Sequence, residues 1–439
     1  MRSVVQAWID SISPDTQGSR AADTPAFEEL RAAIALAAPP ERRADLYDGQ
    51  ELPSHDILLK VIGLSEVATL AASGAAVPVD AIAADLEHLC AAPTPQAQDW
   101  ILLDADLPAG TDVPIGPYTL RTLTVEQLRR AHPLPSLRSR TLNPGELGGS
   151  AFLVLPRPDR RLARGGLRLS FDIRPVLEHV KALAPLMLWR DEPLHAEAIF
   201  HVEPRRCVRT NMFVNTYNTS IRTDHEGNEV GEAHERGYFN VRDTEIAEFT
   251  AFCARVWDMV DAVAPEDAQT TDVKGRKRRF RRAMDHLVLA TAGTHGPGHV
   301  DPHEADELLL RCVIGLEAIL TGGQQMNSRP MKNNGKALWL GAAAQNTTEA
   351  TFDKVYGLRC KYAHGDDVVG LDETAVLEAR TLLRDTILRW LVTSHALGSD
   401  IVPRLPTTMT PGPDRTTFVE TPLRNFFNAT PPARRPSDA

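Results

Sequence analysis

The feature that most constrains the fold is a nearly continuous helical periodicity in the C-terminal part of the chain. Apolar residues recur every three or four positions in segments that we predict as helices at 278–291, 304–320, 336–344, 349–363 and 373–393. Glycines follow two of these segments, where glycine commonly ends a helix. Residues 278–398 are therefore predicted to form an all-α bundle of four or five helices.

Upstream of this bundle the periodicity changes. Residues 1–95 have helical spacing, whereas 96–240 contain short strand-like runs between Pro- and Gly-bearing turns, with one helix predicted from Arg174 to Leu183 and ended by Pro185. We predict an α+β multidomain protein with a helical N-terminal segment (1–95), a strand-rich α+β domain (96–240), a helix and basic linker (241–277), the bundle (278–398) and a Pro-rich tail (399–439). The tail is expected to be partly disordered or docked in extended form.

The composition of the chain bears on the compartment in which the protein works and on the partners that it can bind. The 439 residues include 48 Lys and Arg against 58 Asp and Glu, which gives a net charge of −10. An acidic chain is not coated in nucleic-acid-binding charge, so an RNA site requires a local basic patch. Five widely spaced cysteines predict reduced thiols, and no segment has the pattern of a signal peptide or membrane span. We expect a cytoplasmic protein with no membrane partner.

A basic run leads into the predicted bundle. Seven of the nine residues from 274 to 282 are cationic, and we predict that they bind RNA: Lys274, Arg276, Lys277, Arg278, Arg279, Arg281 and Arg282. The alternative is an ordinary solvated helix face. A smaller basic set at 157–168 is a second candidate for binding a phosphate or a partner.

The residues with the clearest chemical potential lie at the end of the fourth predicted helix. Arg359 and His364 are five positions apart, which turns their side chains about 140° from each other on an ideal helix. A second copy across a two-fold axis, or unwinding at the helix end, brings them together. A neutral imidazole can take a proton from a ribose 2′-OH, and a guanidinium can hold the charge of a phosphorane.

Neighbouring side chains are candidates for supporting roles. Tyr356 and Tyr362 can stack on bases or donate hydrogen bonds, and Glu317 in the second helix is a candidate carboxylate partner for a cation. The competing structural interpretation is that Arg359 pairs with Glu317 or Asp353 and that His364 only caps a helix.

The spacing Arg-x4-His, the preceding residues 355–358 (VYGL), the following Gly365 and residues 315–318 (GLEA) upstream resemble the HEPN superfamily, and most closely its Apea-like branch. The resemblance covers about 278–398. It implies a metal-independent RNA endonuclease that dimerises so that two Arg-x4-His motifs face one cleft, with no cofactor and no metal. Other members are inactive binding or dimerisation modules. The chain departs from many active members at Cys360, where a polar residue usually follows the arginine.

The function expected from this resemblance is an RNA endonuclease effector of anti-phage defence, of the abortive-infection or toxin type. Its expected partners are RNA, with tRNA among the candidates, a second copy of the chain, and a phage-derived trigger or a cognate inhibitor. The alternatives are a non-catalytic HEPN-type binding and dimerisation module and a metal-dependent hydrolase. His295, His299 and His303 have a spacing that zinc can use, but they lie in a Gly/Pro-rich loop without a nearby cysteine.

Overall fold

The structure is a computed structural model of the chain. It describes residues 1–15, 18–38, 51–55, 58–59, 64–91, 98–131, 147–156, 168–170, 179–192, 194–203, 206–213, 221–223, 229–231, 239–292, 305–321, 328–339, 345–364, 371–408 and 412–429. The chain divides into two compact units. One comprises Met1–Asp112, Pro117–Asp172 and Ala196–Val214, and the other comprises Val113–Gly116, Ile173–His195 and Asn215–Ala439.

The first unit begins with a group of helices. These are α1 (Arg2–Asp10), α2 (Pro25–Ala37), α3 (Leu64–Ala72) and α4 (Val79–Cys90). Pro25 opens α2, and the hydroxyl of Thr24 accepts a hydrogen bond from the backbone N–H of Phe27 at 3.3 Å, which caps the helix. The rings of Trp8 and Phe27 lie 5.5 Å apart in the shared apolar core of these helices.

The strands of the first unit form a mostly antiparallel sheet. They are β1 (Gln98–Asp106), β3 (Tyr118–Thr122), β4 (Ala151–Pro156), β5 (Arg168–Ser170), β6 (His195–Glu203) and β7 (Arg206–Phe213), whereas nearly all of β2 (Asp112–Ile115) belongs to the second unit. The order within this unit is β3-β4-β1-β6-β7-β5, with β5 and β7 parallel. Trp100, Phe152 and Phe200 meet on one face, where Leu128 of α5 (Val125–Ala131) joins them.

The second unit starts with two helices joined by aromatic packing. Helix α6 (Val180–Trp189) is followed by β8 (Ile221–Thr223), β9 (Glu229–Gly231), β10 (Phe239–Asn240) and α7 (Ile246–Val263). Strands β8 and β9 pair antiparallel. The indole of Trp189 lies 5.4 Å from the ring of Phe249 and 5.0 Å from that of Phe252, so it fixes α6 against α7.

The long helices follow. They are α8 (Thr271–Ala292), α9 (Ala305–Leu320), α10 (Ser328–Trp339), α11 (Gln345–His364) and α12 (Glu373–Leu397). Ten of the sixteen residues of α9 are buried, which makes α9 the central helix, packed by α8, α11 and α12. The carboxylate of Asp372 caps α12 at its start, and Gly398, at φ +69°, ends it in the left-handed conformation.

The C-terminal residues also adopt helical structure. A 3₁₀ helix (Val402–Thr408) and short turns lead to α13 (Thr421–Ala429). The ring of Phe426 lies 6.1 Å from that of Phe252 on α7, and the Arg389 guanidinium of α12 lies 5.4 Å from the ring of Phe427. The expected extended docking is therefore wrong for 413–429, because aromatic contacts stabilise helix there.

Two further expectations differ from the structure. Helix α6 runs through Pro185, which was expected to stop it. Nine of its ten residues are buried, and that burial outweighs the roughly 3 kcal/mol cost of an internal proline. The basic run is part of α8 and not of a linker, because Phe280, Ala283 and Met284 form a buried stripe that orders the whole segment as helix. The broad α+β class is confirmed.

Across the described residues, no helix combines the length and apolar character that crossing a bilayer requires.

Candidate active site at the end of helix α11

Helix α11 directs Arg359 towards the last turn of α9. The terminal Nη2 of Arg359 lies 4.0 Å from Oε1 of Glu317, and the arginine side chain is 21% exposed. The Arg359 guanidinium also lies 5.9 Å from the ring of Tyr356, one turn earlier on the same face of α11. The structure thus brings together Arg359, Glu317 and Tyr356.

The contact between Arg359 and Glu317 is loose. A separation of 4.0 Å is longer than a hydrogen bond, and Nε of Arg359 is buried without a hydrogen-bond partner among the described residues. Arg359 therefore keeps donors that a bidentate carboxylate pair would occupy.

Glu317 lies in an environment that disfavours its charge. Burial raises the pKa of Glu317, and the positive charges of Arg359 and Arg282 act against that shift. Arg282 belongs to α8, so three helices contribute charged groups to this point. The charges of Arg359 and Arg282 thus favour the ionised carboxylate of Glu317, whereas its burial favours the protonated form.

Of the two carboxylates that the competing structural interpretation gave as partners of Arg359, Asp353 pairs with lysines instead. Asp353 binds Lys332 of α10 at 2.8 Å and lies 3.6 Å from Lys336, and the hydrogen bond from Lys332 lowers the pKa of Asp353. Lys332 also lies 5.3 Å from the ring of Tyr356. Sequence analysis missed Lys332 because the helix containing it was predicted to begin only at Lys336.

His364 is the last residue of α11. Its side chain and Gly365 lie outside the described residues, so the juxtaposition of His364 with Arg359 stays a prediction. Tyr362, two residues earlier, is 38% exposed, and its hydroxyl hydrogen-bonds to Asp306 in the first turn of α9. The negative charge of Asp306 raises the pKa of Tyr362. The end of α11 therefore lies beside the start of α9.

Cys360 follows Arg359 as a half-buried free thiol. A cysteine offers only a weak hydrogen-bond donor beside Arg359.

The structure divides the predicted basic run into two sets. Three members form ion pairs: Arg276 with Asp272 at 3.1 Å, Lys277 with Glu266 at 2.9 Å and Arg279 with Asp400 at 3.1 Å. Four members are exposed and make no ion pair within the described part of the chain: Lys274, Arg278, Arg281 and Arg282. Arg278, Arg281 and Arg282 lie four, seven and eight positions after Lys274, which places all four residues on one face of α8.

The other candidates from the sequence lie largely outside the described residues. These are the histidines at 295, 299 and 303 and most of the basic set at 157–168. Among the residues that are described, no group of three His, Cys, Asp or Glu side chains is arranged to hold a metal ion.

Comparison of the chain with protein-family models, with curated proteins and with solved structures found no match.

Proposed function

We propose that this protein is a metal-independent RNA endonuclease whose catalytic unit is a HEPN-like helical bundle at 278–398. The observation that carries the proposal is the environment of Arg359, whose Nε is buried without a partner and whose terminal nitrogen is only loosely opposed by Glu317, in the helix that ends at His364. Arg359 thus has a guanidinium nitrogen without a hydrogen-bond partner among the described residues, five positions before the helix end at His364.

The proposed reaction is an internal transesterification. His364, neutral near pH 7, takes the proton of a ribose 2′-OH, and the resulting oxygen attacks the adjoining phosphorus. Arg359 stabilises the charge on the phosphorane oxygens. The P–O5′ bond then breaks, the 5′ oxygen takes a proton from water, and the products are a 2′,3′-cyclic phosphate and a 5′-hydroxyl. Deoxyribose lacks the nucleophile, so DNA is not a substrate.

A second copy of the chain completes the proposed site. Arg359 points to the last turn of α9, whereas Tyr362 contacts the first turn of the same helix, about 16 Å away along its axis. One α11 helix therefore spreads its polar side chains over the length of α9. Two copies related by a two-fold axis would place the histidine of one copy near the arginine of the other.

The biological setting follows from the family resemblance alone. We propose that the protein is a cytoplasmic effector of anti-phage defence and that residues 1–240 restrain or aim the nuclease in response to a phage-derived trigger or a cognate inhibitor. The competing proposal is a non-catalytic module that binds RNA or protein and dimerises. The contact between Arg359 and Glu317 favours the module, because it gives Arg359 a structural role.

The test compares wild type, His364→Ala and a matched control on tRNA and total RNA in EDTA. The control is His395→Ala, which removes another imidazole from the last turn of an exposed helix end, that of α12. We expect EDTA-resistant cleavage by wild type and by His395→Ala, and none by His364→Ala. RNA left intact by wild type under every activation condition tried supports the module, and cleavage abolished by EDTA indicates a metal-dependent hydrolase.

A further inference from the structure

Helix α8 carries a row of basic side chains that runs from its exposed cationic face to the place where α8 packs against α9. Arg278, Arg282 and His286 occur at intervals of four and therefore lie above one another on the helix. Arg278 and Arg282 are exposed, and neither makes an ion pair within the described residues. His286 is half-buried at the end of the row.

Helix α9 contributes a third arginine, Arg311, next to this row of side chains. Arg311 lies four residues before Gly315 on α9, and its charge lowers the pKa of His286 together with that of Arg282. The two helices approach closely here, because a Cβ on Gly315 would lie 3.3 Å from Cβ of His286 and 2.7 Å from a methyl group of Leu383. Gly315 thus allows the imidazole to pack against the backbone of α9.

Burial and two positive charges act on the imidazole of His286. Burial lowers the pKa of His286 to about 4, with the charges of Arg311 and Arg282 acting in the same direction. Its Nδ1 is buried and has no hydrogen-bond partner in the described chain. A bound phosphate would accept hydrogen bonds from both arginines and from the imidazole, and would reverse the sign of the local potential.

Two carboxylates lie near this row of side chains. Glu307, in the preceding turn of α9, binds Arg311 at 2.6 Å and is 61% exposed, so the pair is a weak surface pair that a phosphate would displace. Asp285 is adjacent to His286 in the chain, but its electrostatic partner is Arg281, and burial raises the pKa of Asp285.

We propose that Arg278, Arg282, His286 and Arg311 form a phosphate-binding groove between α8 and α9. The groove is distinct from the Arg359 site, although Arg282 links the two through its interaction with Glu317. As a groove for RNA phosphodiesters it rests on the proposed function, whereas as a site for a free phosphate it does not. Two of its four residues, His286 and Arg311, lie outside the basic run at 274–282.

The first experiment measures binding of wild-type protein to a fluorescent 2′-O-methyl oligonucleotide. This probe keeps every phosphate but cannot be cut by 2′-OH attack, so binding is separated from catalysis. We expect Arg278→Gln/Arg282→Gln to bind about tenfold more weakly near physiological salt, and the slope of log K against log salt to fall by about 1.4, which is 0.7 for each lost phosphate contact. The matched control Arg20→Gln/Arg424→Gln removes two other exposed arginines and should change neither value.

The second experiment follows the imidazole resonances of His286 during titration with inorganic phosphate and with adenosine 5′-monophosphate. Resonance shifts with these ligands but no oligonucleotide binding identify a free phosphate as the occupant, and shifts together with oligonucleotide binding identify the RNA backbone. If circular dichroism shows that the double glutamine variant is unfolded, Arg278→Lys/Arg282→Lys takes its place. Because lysine keeps both positive charges, this variant must have the salt slope of wild type. Wild type that binds neither probe, or a double variant with unchanged affinity and slope, overturns the proposal. If wild type cleaves RNA but gives either of these two results, only the proposed groove is refuted and the proposed nuclease activity stands.

Discussion

Gly335 allows α10 to pack directly against the helix that carries Arg359. A Cβ added at Gly335 would lie 2.4 Å from Cζ and 2.7 Å from Cε1 of Phe352, a fully buried residue of α11. Because carbon atoms normally approach no closer than about 3.5 Å, Gly335→Ala requires a displacement of about 1 Å. The rigid ring of Phe352 transmits this displacement to α11.

The size of the effect follows from two opposed contributions. Overpacking of a dense core costs about 1–3 kcal/mol, and replacing an internal helical glycine by alanine recovers up to about 1 kcal/mol. We therefore expect Gly335→Ala to lower the free energy of unfolding by about 1–2 kcal/mol and the melting temperature by about 2–6 °C. A shift of about 1 Å in Arg359 should lower the proposed cleavage rate by more than this loss of stability explains.

Gly357 provides the matched control. It lies on α11 two residues before Arg359, and a Cβ there would meet nothing within 4 Å. Gly357→Ala should therefore raise the melting temperature slightly, through about 0.5–1 kcal/mol of helix propensity. Thermal melts of both variants followed by circular dichroism make the test. Equal stabilisation by the two substitutions would refute the packing argument.

Three further predictions concern the second unit. Asp191 accepts hydrogen bonds from Arg380 at 3.2 Å and from Thr381, and although burial acts to raise the pKa of Asp191, the charges of Arg380 and Arg384 hold it below its ordinary value. Asp191→Asn should therefore lower the free energy of unfolding by about 3 kcal/mol at pH 7. In urea titrations this difference from wild type should shrink below about pH 4, because the wild-type carboxylate becomes protonated there. A difference that does not depend on pH contradicts this prediction. Arg279→Gln should lower stability by about 1–3 kcal/mol, because Arg279 pairs with Asp400, and should leave the salt slope of oligonucleotide binding unchanged; an altered slope would place Arg279 among the RNA ligands. Light scattering of the active protein should give at least twice the monomer mass, and an active monomer would exclude the shared site.

The sequence predicted the existence of most helices because their apolar spacing matches the burial that the structure has. Leu308 and Leu316 of α9 and Leu383 of α12 are among these regularly spaced apolar residues, and all three are buried. The sequence predicted the course of α6 incorrectly because a local rule about Pro185 competes with burial of nearly the whole helix. The fold of 413–429 was missed because its stability depends on distant aromatic partners such as Phe252.

The candidate site was predictable only in part. Motif spacing identified Arg359 and Glu317, and the structure brings them within 4.0 Å. The charges along 274–282 did not reveal which of these cations form ion pairs. Arg279 pairs with Asp400, which lies far away in the chain, and Lys277 pairs with Glu266, which lies in the preceding loop. His286 carried no local signal beyond its spacing of four from Arg282, since its importance arises from packing against α9.

The end groups of the cleavage products test the central claim most directly. Wild-type protein would be incubated in EDTA with a defined RNA and with the same RNA carrying one 2′-deoxyribose at the cleaved position, and the products would be analysed by mass spectrometry. The account predicts a 2′,3′-cyclic phosphate and a 5′-hydroxyl from the first RNA and no cut at the deoxyribose of the second. A 5′-phosphate product, or cleavage at the deoxyribose, would contradict it.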